Sequence, residues 1–303
     1  MSGALTAFLA ISVAFFMDRM CEGRGLLPPG FREPWRRATA WALVALVLWI
    51  GAFASLASFG QKVERDLSQL TTPELFLLHF LLVLTIVCWF LLGFAGIRAA
   101  PPPPPLDLLD PVDPILLDEP VPVAAPAPPP VPLLRRFQEQ FGFVAPDVPR
   151  EIGVGVLVGV GSWGAVLAVA ILLGLLLMAL GQEDALPRQP PALIPWIVAL
   201  PVGVRILISL SAGVVEETFF RGFLQPRIGI FLSTLLFVLA HFSYGQPLML
   251  VGIGTLSLIY AFLVRWRQNI WPAIAAHALF DAVQLLFIIP AALKYMEKAA
   301  AGN

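Results

Sequence analysis

Residues 152–180 read IGVGVLVGVGSWGAVLAVAILLGLLLMAL, 29 positions without one ionisable side chain. A helix needs about 20 predominantly apolar residues to cross the hydrocarbon core of a bilayer. This stretch exceeds that length and shows no alternation of apolar and polar residues, so it predicts a membrane-spanning helix rather than a barrel strand. Seven similar runs lie around it, at 2–17, 38–60, 75–97, 192–215, 228–243, 247–264 and 270–292. The expected fold class is therefore an all-α, polytopic integral membrane protein with about eight transmembrane helices.

The composition of the 303 residues agrees. Hydrophobic residues make up 58% and charged residues 13%, with a mean hydropathy of +0.85. A water-soluble domain carries about 25% charged residues, so the lipid bilayer is the expected surrounding. The net charge of −1 leaves no basic footprint for nucleic acid. Two cysteines, Cys21 and Cys88, support neither a disulfide framework nor a cysteine zinc site. The first run lacks a basic leading segment and a small-residue cleavage site, and is expected to be a retained helix.

Lysine and arginine placement orients the helices. With the N-terminus outside and eight crossings, 13 Lys and Arg fall in inner segments and 5 in outer ones, with Arg205 inside a helix. Residues 101–132 hold 14 of the 29 prolines. Lacking amide donors, that stretch predicts an extended, acidic spacer. The expected organisation is an N-terminal three-helix unit at 1–100, a linker at 101–150 and a five-helix unit at 151–303. In the fourth helix, Gly155 and Gly159 form a GxxxG spacing that predicts close helix packing, not a dinucleotide site.

Ionisable groups within apolar helices are costly and mark candidate chemistry. They concentrate in Glu216-Glu217-Thr218-Phe219-Phe220-Arg221, in Phe237-Val238-Leu239-Ala240-His241 and in His277-Ala278-Leu279-Phe280-Asp281. Glu217 and Arg221 are four apart and share a helix face. Glu216 is rotated by about 100° and left without that cation, as suits a general base. His277 and Asp281 are also four apart, so the carboxylate can fix the imidazole tautomer. His79 reads as an ordinary interhelical hydrogen bond.

These three motifs, in this order, resemble the EExxxR, FxxxH and HxxxN/D signatures of the CPBP family, the intramembrane CAAX-protease and bacteriocin-processing (Abi) group that includes the Rce1-type endopeptidases. The resemblance covers roughly residues 195–290. It implies an intramembrane endopeptidase opening to the cytoplasm and acting on a peptide or membrane-protein substrate, while the short loops and compact polytopic form point to a bacterial inner membrane. By that resemblance Glu216 activates water, His241 positions it, His277 and Asp281 stabilise the oxyanion, and Glu217 and Arg221 brace the site. It implies either no cofactor or a divalent metal such as zinc, with Glu216, His241, His277 and Asp281 as candidate ligands. An idle scaffold of the same fold and a proton-coupled transporter are the competing readings.

Family members commonly carry Asn where Asp281 stands. An ionised carboxylate cannot donate to an oxyanion, which leaves His277 as the expected donor. Asp281→Asn should then retain much of the activity and His277→Ala lose nearly all of it, read as substrate cleavage by each variant; the opposite order would reverse the two roles.

Overall fold

The computed structural model describes residues 2–58, 71–97, 131–186, 190, 193–244 and 246–300. Among these residues every regular element is helical. Seven stretches are long and apolar enough to cross a membrane: Gly3–Gly23 (α1), Pro34–Leu56 (α2), Leu77–Phe94 (α3), Val148–Ala179 (α4), Val202–Ala240, Pro247–Arg267 and Trp271–Ala299. Leucine and phenylalanine side chains on their outer faces, such as Leu157 and Phe231, are 75% and 76% exposed. Apolar surface of that kind is at equilibrium against lipid, not water.

The fifth stretch, of 39 residues, would be about 58 Å long if straight, twice the thickness of the hydrocarbon core. It is not straight. Gly229 adopts φ 85° and ψ 172°, outside the helical region, a conformation that a side chain would oppose. The chain folds back there, because the rings of Phe220 and Phe237 lie 4.9 Å apart, whereas 17 residues of straight helix span about 25 Å. Two helices result, α5 at 202–228 and α6 at 230–240. They correspond to the fifth and sixth runs expected from the sequence, and Pro247–Arg267 and Trp271–Ala299 follow as α7 and α8.

α5 is the axis of the site. His79 of α3 meets Glu216, and ten and eleven residues further on Trp89 meets Arg227, 4.3 Å from guanidinium to ring. Equal advances in the same direction make α3 and α5 parallel. Gln225 Nε2 donates to the Ala261 carbonyl at 2.9 Å and Arg221 reaches Ser257, so α7 is parallel as well. Arg205 donates to the Leu285 carbonyl at 2.8 Å while Glu217 meets His277, so α8 is antiparallel. These directions are those of successive helices alternating through a membrane.

The residues on either side of the proline-rich stretch share one hydrophobic core, which includes Met17, Trp41 and Trp89 together with Phe141, Phe223 and Phe237. Trp89, fully buried, packs edge-on against Phe31 and Phe223 at 5.3 and 5.2 Å. The expected spacer lies mostly outside the described residues. The last part of the expected 101–150 linker, beyond the proline-rich 101–132, contains a helix not anticipated from the sequence. Leu133–Gln140 is helical, because Phe137 and the following Phe141, 4.6 Å apart, give it an apolar side to bury beside Phe90.

The glycine spacing in α4 packs as expected. A methyl group at Gly155 would overlap the Pro272 carbonyl, and one at Gly159 would lie 3.1 Å from the Ala276 Cα, whereas one at Gly153 would meet nothing within 4 Å. Gly155→Leu should therefore lower stability by about 1–3 kcal/mol through overpacking, and Gly153→Leu should be nearly neutral. Thermal unfolding of the detergent-solubilised chain distinguishes the two.

Candidate active site

α5 and α8, which carry two of the three motifs, converge because small residues let their backbones approach. A methyl group at Gly213 of α5 would stand 2.8 Å from both the Ala278 Cβ and the Ile274 carbonyl of α8. One turn later on α5, Glu217 Oε1 accepts from His277 Nδ1 of α8 at 2.7 Å. The α5 turns on either side of Glu217, Ala212–Glu216 and Thr218–Leu224, are wide π-type turns. Such widenings rotate successive side chains away from ordinary helical register and recur at functional sites.

The two adjacent glutamates have different surroundings. Glu217 is fully buried and does not line the cavity. Besides His277, it has the Arg221 guanidinium 3.1 Å away, with side chains 1% and 0% exposed. Arg221 also donates to the Ser257 carbonyl and hydroxyl at 3.2 and 3.1 Å and lies 4.4 Å over the Phe237 ring. The pair expected from sequence is thus present, and it ties α5 to α6, α7 and α8 at once.

Glu216 lines a cavity of about 770 Å³. The wall is largely apolar, with Leu82, Ile194, Phe220 and Leu256 among its residues, and its polar members include His79, His241, His277 and Asp281. Glu216 Oε1 lies 3.2 Å from His79 Nε2. Its Oε2 is buried, has no hydrogen-bond partner among the described residues and lies 4.0 Å from His241 Nε2. The Phe237 carbonyl can only accept, so its 2.8 Å contact with His241 Nδ1 places a proton on that nitrogen. In neutral His241 the Nε2 facing Glu216 is consequently an acceptor.

His277 lies between two carboxylates. Its Nδ1 donates to Glu217, and its Nε2 is 3.6 Å from Asp281 Oδ2. Tyr260 stacks on its ring at 5.5 Å between centroids. The spacing argument gave His277 only Asp281 as a partner, yet the shorter contact is with Glu217. Glu216, one residue past the 192–215 run read from the sequence, lies within α5, 13 residues before the Gly229 fold and about 20 Å from it along the helix. The six sequence-predicted residues are all brought together: Arg221, His241 and His277 each meet Glu216 or Glu217 directly, and Asp281 meets His277.

His79 is the residue that sequence reasoning set aside. It does make an interhelical contact, but its partner is Glu216. Glu74, earlier on the same segment, also lines the cavity. Its Oε2 accepts from the Thr71 amide and hydroxyl at 2.7 and 2.8 Å, which holds this carboxyl below the usual range. Among the described residues, no three His, Cys, Asp or Glu side chains are disposed to hold a metal ion. The four candidate ligands do not close around one point, and no step below runs through a metal.

Removing one partner of a buried ion pair leaves the other charge uncompensated, at a cost of about 3–5 kcal/mol. Arg221→Met should therefore unfold far more readily than wild type, and Glu216→Gln, which keeps size and polarity, should not. Chemical denaturation monitored by tryptophan fluorescence reports both.

Residues 198–283 match the family described as type II CAAX prenyl endopeptidase Rce1-like. The six motif residues all fall inside that segment, and His79 falls outside it. The chain is also 32% identical over 79 residues to a protein of Bacillus subtilis (strain 168) described as "Uncharacterized protein YpbD". That similarity covers 26% of this chain and 42% of the relative, so the chain spans less than half of that protein's length. No solved structure matches. The match over 198–283 bears out the resemblance drawn from the three motifs.

Proposed function

We propose that this chain is an intramembrane endopeptidase that hydrolyses a peptide bond of a membrane-associated protein or peptide, with Glu216 as the base that activates water. The observation that carries this reading is the state of Glu216, whose side chain lines the cavity: one carboxylate oxygen is engaged, and the other is buried without a hydrogen-bond partner among the described residues, 4.0 Å from a histidine whose tautomer is fixed. A separation of 4.0 Å is too long for a hydrogen bond. It suits two groups that share one water lying about 2.8 Å from each.

In this mechanism the water gives one hydrogen bond to Glu216 Oε2 and one to His241 Nε2, leaving a lone pair toward the substrate carbonyl. Attack forms the carbon–oxygen bond, moves the carbonyl electrons onto oxygen, and transfers the water proton to Glu216. Collapse breaks the carbon–nitrogen bond, and Glu216 returns that proton to the departing amine. His277 is the donor to the oxyanion. As an imidazolium between Glu217 and Asp281 it carries N–H groups on both sides, so Nε2 can donate toward the cavity. Glu217 and Arg221 hold its ring and do not touch substrate. The apolar wall excludes bulk water and strengthens each of these interactions.

A transporter would need its acidic groups along a through-path, whereas these converge on one cavity. We read the cavity as opening to the cytoplasmic side of a bacterial inner membrane, in keeping with the charge distribution across the loops.

Comparing new protein N-termini in membranes of cells that carry wild type or Glu216→Gln tests the reading. A general base contributes about 10²–10⁴-fold, so termini produced by wild type should fall by that factor in the variant. Coincident profiles from two equally expressed proteins would remove the endopeptidase reading. Cleavage should also withstand a strong chelator; loss that added zinc restores would replace this mechanism with a metal-dependent one.

A further inference from the structure

The three histidines of the chain, the whole complement, converge on the same two glutamates. Two of them, His241 and His277, belong to the segment that matches the endopeptidase family. The third does not. His79 is on α3, 137 residues before Glu216 in the chain, in a part for which no similarity assigns a role.

Its placement is tightly determined. Trp89, ten residues further along α3, is fully buried against Phe223 of α5 and under the Arg227 guanidinium. Since α3 and α5 are parallel, that packing fixes their register and delivers His79 to the level of Glu216. The Thr71–Glu74 bonds fix the entry to the same segment. The His79 side chain is 15% exposed, and its Nδ1 is buried without a partner among the described residues. A carboxylate accepts, so the nitrogen facing Glu216 is the one that carries the proton. Among the described residues, this half-buried histidine thus spends its one side-chain hydrogen bond on the candidate base.

We propose that His79 is a positioning residue of the catalytic site: by donating to Glu216 Oε1 it fixes the carboxylate plane and leaves Oε2 as the oxygen that faces His241 and takes the water proton. This inference rests on the endopeptidase reading. It follows that the site is completed by the N-terminal helices, and that residues 198–283 alone do not make it. A carboxylate without this donor could turn about its last torsion and offer neither oxygen at the required place. Misplacement of a reacting group by about 1 Å can cost about 10²-fold.

The test uses the full-length protein with two replacements at position 79. His79→Gln keeps an N–H donor at similar reach, and His79→Phe keeps the ring without the donor. In cell membranes, wild-type-specific N-termini should appear about 10²-fold more slowly with His79→Phe and within about tenfold of wild type with His79→Gln. Thermal unfolding of the purified proteins supplies a second readout. His79→Phe should lower the midpoint when Glu216 is present, and this loss should vanish in a Glu216→Leu background.

Equal cleavage by His79→Phe and wild type would overturn the proposal. So would additive losses of thermal stability, or failure of His79→Gln to restore the rate. If wild type itself yields no specific N-termini, the endopeptidase reading falls and the catalytic purpose of His79 with it. Thermal coupling between His79 and Glu216 would then remain as evidence of the contact alone.

Discussion

Two consecutive carboxylates halfway along an apolar helix impose the constraint around which the rest of this bundle is arranged. Burying an ion costs several kcal/mol unless charge and hydrogen bonds offset it. Glu217 meets that requirement with Arg221 from its own helix, His277 from α8, and through Arg221 the Ser257 hydroxyl and carbonyl of α7. Glu216 has no such cation: one oxygen has His79, and the other, like Glu217 Oε2, has no hydrogen-bond partner among the described residues. The contrast between an acid braced by a guanidinium away from the cavity and a neighbour that lines the cavity separates the group that builds the site from the group that can act in it.

The backbone makes this contrast affordable by geometry. Gly213, Gly155 and Gly159 remove side chains where α8 must come close to α5 and α4, so the His277 ring is pressed against Glu217 without a gap. Gly229 reverses the chain, and the returning α6 brings Phe237 over Arg221 and His241 toward Glu216. Phe237 therefore has three tasks, as a cover for a buried cation, a ring packed 4.6 Å from His241 and a carbonyl that fixes the tautomer of that same histidine.

Much of this was legible before any coordinates. Eight apolar runs anticipated the helices approximately: the fifth covers 192–215, whereas α5 spans 202–228, and the gap between the fifth and sixth runs falls short of the Gly229 fold. Pairs four apart on one helix, Glu217 with Arg221 and His277 with Asp281, follow from helical geometry and were readable directly. Contacts between helices were not. Nothing in periodicity states that His277 binds Glu217 more closely than Asp281, or that His79 belongs with Glu216, because these depend on how α3, α5 and α8 are packed. The wide turns around Glu217 also escape a reading based on 3.6 residues per turn. The helix at 133–140 was hidden by its neighbourhood of prolines, although Phe137 and Phe141 at a spacing of four were a signal of it.

The central claim is that Glu216 and His241 hold a single water between them. An experimental structure of the full-length protein in a lipid nanodisc, at a resolution that shows ordered solvent, tests it most directly. The account predicts one water within hydrogen-bond distance of Glu216 Oε2 and His241 Nε2, with His79 bonded to Oε1. A Glu216 carboxylate that turns both oxygens away from His241, or a gap closed by an apolar side chain, would contradict it.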